Sequence, residues 1–445
     1  MGKAPGDREL QLEKKCPLES AHTRLRQAHD LWHQTASSYP FPEEFVRNLN
    51  QLIVTLRQVT FMLQTQKHKI EDFGSWYEEG WRERLKADPI MAWLHDARTQ
   101  IEHVGDLDLE STAKVTVIAS WLDGPYTEFE VPPHVGPEEI AAQISSADLP
   151  ERIRREGLLK VERRWVSSDL PDQELTDVCA YGYGVLATIL SEAHERLGIR
   201  MQTFGAEAHE RKHERTAHLG GRLPCMLMTR EGRTAHLHMA SDSLLEIEEV
   251  EVQWGQKDAQ RFKEKSEGML IDFETAFTDA RPDDPFDMAA RISTVARRML
   301  AAEGHHDTLA LFFSKEGHPV GITKLHFEDQ AEKYLAFRNL ADQAEENGAD
   351  TLILIGEVWT AQLRDGEDPA TMARASERPD RMEALVVQVA TADGRSRSYE
   401  TRFTRSKKGQ PVLGPTREID NELNASFLPL RQMWRRREKA ASGSG

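Results

Sequence analysis

Residues 42–65 read PEEFVRNLNQLIVTLRQVTFMLQT, and their spacing decides the fold of the first quarter of the chain. Phe45, Leu49, Leu52, Leu56, Val59 and Leu63 recur in alternating steps of four and three, which sets them in one unbroken seam on a helix face. Pro42 is tolerated in a first turn, and Glu43 and Glu44 follow where the helix dipole favours carboxylates. Such a seam must be covered by other helices. Upstream, Leu18, Leu25, Ala28 and Trp32 mark an earlier helix. Downstream come DFGSWYEEGWRERLKAD and DPIMAWLHDARTQIEHVGD, the second opened by Asp88-Pro89 and closed by Gly105. Short connections between these segments predict an antiparallel helical bundle over residues 1–112.

Past the bundle the periodicity shifts toward two. KVTVIASWLDGPYTEFEV alternates on both sides of Asp123-Gly124, which predicts a hairpin. A strand at LLKVERRWV follows, then a helix from Pro171 to about Leu197 and a short charged helix near 206–218. PCMLMTREGRTAHLHMA is expected to form a second hairpin turning at Glu231-Gly232, with SLLEIEEVEVQW after it. Residues 113–280 therefore read as a mixed α/β middle domain. Asp284-Pro285 opens a helix to about Glu303, TLALFFSKEGHPVGITKL reads as a hairpin, and a helix spans 328–347. DTLILIGEVW is continuously apolar, as expected of a strand covered on both faces, and RMEALVVQVATADGRSRSYETRFT forms a further hairpin. Residues 281–430 are a C-terminal α/β domain, residues 431–445 a basic tail with a linker-like end, and the loop 364–381 the expected disordered segment. The fold class is α+β multidomain, a helical bundle followed by two mixed α/β domains.

Composition removes whole classes of function. A 39% hydrophobic, 29% charged chain is expected to be globular and cytoplasmic, and its apolar runs are far too short to cross a bilayer. The start MGKAPGDRELQLEKK lacks an apolar stretch for a secretory signal, and Gly6 stands where myristoylation needs Ser or Thr. The net charge of −17 offers no broad footprint for duplex DNA. Cys16, Cys179 and Cys225 form no CxxC pair, so neither a disulfide framework nor a cysteine-built zinc site is expected. No cofactor motif is found.

Within the fourth helical segment, RTQIEH sets Arg98 and His103 at R-x4-H spacing. The segment resembles the HEPN superfamily of helical-bundle ribonucleases, over roughly residues 18–110. Trp93, Ala97, Ile101 and Val104 supply the buried face beside the motif, and Thr99 stands where that family often has Asn, Asp or His. The resemblance implies that Arg98 neutralises a scissile phosphate while His103 acts as acid or base on the ribose 2′-hydroxyl, without a metal. It also implies a homodimer through the helical domain, because in that family the site is shared between two bundles. A plainer reading competes with it. On a continuous helix, positions five apart diverge by roughly 140°, Arg98 can pair with Glu102, and His103 then only decorates a helix end.

Three weaker motifs remain. HERKHERTAH contains H-E-x-x-H, so His209 and His213 could hold zinc while Glu210 activates water. A helix polar on every face is a solvated one, however, and His218 misses the ten-residue metzincin offset, so the purified protein is expected to hold less than stoichiometric zinc. His236 and His238 share one face of the strand TAHLHMA. Glu357 ends the most apolar strand, with Glu383 near the start of the next as its expected neighbour. His305, His306 and His318 carry no defined spacing. Two main functions remain open, an RNA-cleaving HEPN-like effector of toxin or phage-defence type and a non-catalytic interaction or ligand-sensing protein; a zinc hydrolase is the distant third.

Overall fold

The computed structural model describes residues 16–122, 126–145, 149–198, 223–228, 231–241, 243–245, 250–251, 284–361, 374–420 and 424–442. Helices α1 (Glu19–Ser37) and α2 (Pro42–Thr65) pack lengthwise, and every residue of the α2 seam from Phe45 to Leu63 is buried. The chain then winds through a π-helical stretch (Gly74–Trp81) into α3 (Arg82–Ala87) and α4 (Pro89–His103). Asp88 caps α4 as expected, its Oδ1 accepting from the backbone N–H groups of Ile90 at 2.9 Å and Met91 at 3.0 Å.

One helix of the bundle comes from elsewhere in the chain. After α5 (Pro137–Ser145) and α6 (Glu151–Glu156), helix α7 (Leu175–Arg196) returns to pack on α1, α2 and α4, and it shares their core through Leu175, Val178, Leu186, Ile189 and Leu190. Gly182 permits the closest approach: a Cβ there would stand 2.4 Å from Leu94 Cδ1. Indole donors tie the parts together, Trp32 to the Thr176 carbonyl at 2.9 Å, and Trp76 and Trp81 both to Glu192 Oε2 at 2.9 and 2.7 Å. A bundle confined to residues 1–112 is thus incomplete, because its seam is closed by a helix of the middle region.

That middle region contributes a four-stranded antiparallel sheet ordered β2-β1-β3-β4, from β1 (Leu109–Ile118), β2 (Tyr126–Glu130), β3 (Leu158–Ser167) and β4 (Thr234–His238). The hairpin expected at Glu231-Gly232 does not form. Pro224–Met226 and Glu231–Arg233 are 3-10 turns, Met226 is buried against the bundle, and β4 pairs with β3 instead. Proline cannot donate to a ladder, which suits Pro224 to a turn. The charged helix expected near 206–218, with His209, Glu210, His213 and His218, lies outside the described residues, as does most of SLLEIEEVEVQW beyond Leu245.

A seven-stranded sheet follows, antiparallel throughout and ordered β11-β10-β9-β8-β6-β7-β5. Its strands are β5 (Val250–Glu251), β6 (Thr308–Phe313), β7 (Pro319–Leu325), β8 (Thr351–Thr360), β9 (Met382–Thr391), β10 (Ser396–Arg405) and β11 (Pro411–Asp420). The apolar strand β8 is central, as expected. Its Leu352 faces α9 (Gln330–Glu346) and α10 (Leu428–Ser442), while Ile353 and Ile355 face α8 (Pro285–Glu303). The basic end, expected to be a tail from residue 431, belongs to α10 up to Ser442. Met433 and Trp434 are buried, the Trp434 indole donates to the Ala349 carbonyl at 2.8 Å, and Arg437 pairs with Asp350. Arg435 and Arg436 are exposed, while Arg431 and Arg437 are half-buried and bond back to the sheet layer. The loop 364–381 is described only from Arg374, where Ala375–Glu377 forms a short turn and Arg378 is buried on Asp380.

Candidate functional site

The α4 motif is laid out on a regular helix. Arg98 is half-buried and pairs with Glu102 at 2.5 Å, while His103, the last residue of α4, is exposed. No contact joins the two side chains among the described residues. Val104, next in the chain, is 84% exposed.

Glu357 and Glu383 do come together, through a residue that their own strands do not supply. Arg405 of β10 donates to Glu357 Oε2 at 2.9 Å and to Glu383 Oε1 at 3.0 Å, and the backbone N–H of His306 donates to Glu357 Oε1 at 2.6 Å. Both carboxylates are thereby engaged on adjacent interior strands of an antiparallel sheet. The strand-end logic of open parallel sheets has no counterpart here.

His236 lies in a pocket between the two sheets' layers. Lys160 and Thr234 line it from the small sheet, Leu335, Arg338 and Asn339 from α9, and Gln432 and Arg436 from α10, with Trp121 at its side. Lys160, Arg338 and Arg436 bring three cations to the pocket, where Asp342 is a lining carboxylate and Glu162 pairs with Lys160 at 3.5 Å. Burial, then Lys160 and Arg338, pull the His236 pKa down to about 4, so its imidazole is neutral at pH 7. His238, on the same strand face, binds Asp329 Oδ2 at 2.7 Å.

Among the described residues, two groups of chemically capable side chains gather around α1. Leu18, His22, Leu25, His29 and Trp32 follow one another in steps of four and three, so two histidines occupy seam positions of a core helix. His22 is buried, and its Nε2 lies 2.7 Å from Nε2 of His194 on α7; that same atom of His194 lies 3.2 Å from Cys16 Sγ. Two turns along, His29 Nε2 lies 3.1 Å from both Cys225 Sγ and His33 Nε2. In each trio the potential ligand atoms all lie within 4.8 Å of one another. Burial, then His194 and Arg26, lower the His22 pKa to about 4, which leaves that ring neutral at physiological pH. Among the described residues these are the groups that could hold a metal, and their spacing in the sequence did not mark them as such. The available signal was H-x3-H at His29 and His33 with His22 one heptad earlier, all on one helix face, in a chain whose cysteines showed no pairing of their own.

The fold and these sites define the chain first as an α+β protein with a helical unit rich in histidine at its core and a three-layer antiparallel C-terminal unit. The family of bacteriophage lambda protein ea47 matches residues 7–443, and this chain belongs to that family. Protein ea47 of Escherichia phage lambda is 29% identical over 341 residues, which covers 76% of this chain and 78% of that protein. No solved structure matches the chain. Among the described residues no helix is long and apolar enough to cross a membrane.

Proposed function

We propose that this member of the ea47 family is a ligand-sensing protein that takes a small anion in the pocket between the small sheet and the C-terminal layers. The observation that carries this reading is the convergence of Lys160, His236, Arg338 and Arg436 from four separate elements onto one cleft. Junctions between folded units are where ligand pockets concentrate, and a ligand there would bias how the two units sit. Arg338 is positioned by hydrogen bonds to the carbonyls of Tyr334 at 2.8 Å and Ser120 at 3.0 Å, which supports a preorganised cation. A bound anion favours the imidazolium form, so the His236 pKa should rise on binding. The test follows the His236 ring by NMR during pH titration with and without phosphate or citrate. An upward shift is expected, with Lys160→Ala weakening binding about tenfold, the worth of one charge-assisted hydrogen bond. An unchanged His236 titration with every anion tried at millimolar concentration ends this reading.

Metal-independent RNA cleavage by Arg98 and His103 is the second reading. What supports it is that the partner of Arg98 is an i,i+4 neighbour at 2.5 Å, a pairing worth only about 0.3–0.5 kcal/mol, which an RNA phosphate could displace. The exposed His103 and Val104, with Phe61 of α2 60% exposed, leave surface for the helical homodimer that a shared site requires. Cleavage in EDTA should fall about 10²–10⁴-fold in His103→Ala and in Arg98→Ala. Cleavage that survives in both variants, or a monomer by light scattering at micromolar concentration, removes the shared-site mechanism.

A further inference from the structure

We propose that α1 is a metal-binding helix with two sites, Cys16–His22–His194 and His29–His33–Cys225, each taking one zinc ion. His194 Nδ1 lies 2.6 Å from the Leu190 carbonyl, an acceptor only, so Nδ1 carries the proton and Nε2 of the neutral ring is bare. That nitrogen has a single in-plane lone pair, yet two neighbours crowd it, His22 Nε2 at 2.7 Å and Cys16 Sγ at 3.2 Å. The Cys16 thiol and a His22 Nε2–H would both have to donate to that one lone pair. A cation between them serves all three at once. The Leu190 bond also has the form of the outer partner that fixes a ligating histidine's tautomer.

The second trio repeats the pattern with different residues. His29 Nε2 is shared by Cys225 Sγ and His33 Nε2, both at 3.1 Å, and behind it Nδ1 stands 3.8 Å from Asp30 Oδ1. His29 and His33 are one helical turn apart, the spacing that lets two imidazoles of one helix meet a common ion. His22 and His29 are separated by two turns, about 10 Å along the axis, so the trios are distinct sites.

Donor chemistry selects the ion. One thiolate and two imidazoles suit zinc and exclude the oxygen-seeking magnesium and calcium. Ligand atoms around tetrahedral zinc stand roughly 3.3–3.6 Å apart, so the 2.7 Å His22–His194 pair must open, while the ligand atoms of each trio, all within 4.8 Å of one another, settle around an ion. On binding, each cysteine loses its proton to solvent and forms one sulfur–zinc bond. Three side chains leave a fourth position to water or a further group. The first site would clip the entry of α1 to the end of α7, and the second would pin the Leu223–Met228 segment to α1.

The experiment uses full-length protein purified without chelators or metal-affinity resin, incubated with zinc and dialysed. Elemental analysis should find about two zinc ions per chain, falling to about one in Cys16→Ser and in Cys225→Ser. Cobalt in place of zinc should give thiolate-to-cobalt charge transfer in the wild type, an observation that does not depend on any variant folding. Folded wild type with neither bound zinc nor that band overturns the proposal. Full zinc retained in the double cysteine variant overturns it too, since the metal would then sit elsewhere. One zinc per chain, lost in one cysteine variant and untouched in the other, overturns the two-site form.

Discussion

Trp165→Ala is expected to destabilise the protein by about 3–5 kcal/mol, the range for emptying a fully buried large aromatic. Trp165 sits on β3 but is completely buried in the helical core, where its ring stacks on Phe45 with centroids 4.6 Å apart. Its indole N–H donates to the Tyr39 carbonyl at 2.9 Å, and its backbone N–H donates to Glu174 Oε1 at 3.0 Å. The Arg163 guanidinium covers it at 4.9 Å and also donates to the Val135 carbonyl. One side chain therefore joins the sheet to the bundle. Trp165→Phe keeps the ring stacking and loses the indole donor, so it should cost less than the alanine variant, including about 1–3 kcal/mol for the unsatisfied carbonyl. Urea denaturation measures both. An alanine variant within 1 kcal/mol or so of wild type would show that the core relaxes around the site far more than packed interiors do.

Glu156→Gln should cost about 3 kcal/mol at neutral pH, the low end for stripping a buried ion pair of one partner. The Glu156 side chain is 8% exposed and takes Arg152 at 3.2 Å, Arg155 at 2.7 Å and Arg374. Arg374 approaches from the C-terminal unit and also bonds Gln330, so the cluster links the two halves of the molecule. Two of its arginines are half-exposed or more, which keeps the cost at the low end. The Arg374 hydrogen bond is the chief cause that holds the Glu156 pKa at about 2 against an ordinary 4.5. A carboxylate whose folded pKa is depressed stabilises above its unfolded pKa. That contribution should be present above about pH 4.5 and vanish as pH falls toward about 2. The difference between wild type and Glu156→Gln in urea midpoints should shrink over that window. A difference that stays constant from neutral pH down to about 2 would mean that the carboxylate's charge is not what stabilises.

Local periodicity made most elements legible, and partners were not legible. The α2 seam, the Asp88 and Asp284 caps and the double-covered β8 follow from spacing and residue type alone. That α7 closes the bundle could not be read, because an amphipathic stripe states that a helix is covered but not by what. The end at Arg435–Lys439 looked like a tail because charge masked Met433 and Trp434, the two residues that face the core. At the sites, the pairing of Arg98 with Glu102 was available from i,i+4 spacing, and the neighbourhood of Glu357 and Glu383 from strand order. Arg405, which binds both, arrives from a third strand and left no local mark. His22 and His29 were obscured for a different reason. A histidine in a seam position reads as an interruption of an apolar stripe, and only the partner helix and loop show two such interruptions to be places of convergence.

The return of α7 to the bundle also imposes an order on biosynthesis. A ribosome that has completed α4 at His103 still has 72 residues to add before Leu175 opens α7. At about 5–20 residues per second that interval lasts roughly 4–14 s. Throughout it the apolar groove that α7 fills must face water, a chaperone or a neighbouring nascent chain. Polysomes crowd identical half-made bundles together, so the hazard is misassembly with a sister molecule that has already released its own α7. His194 emerges last of the Cys16 trio, and ion capture there would lock the bundle only once the correct helix, from the same chain, has come home.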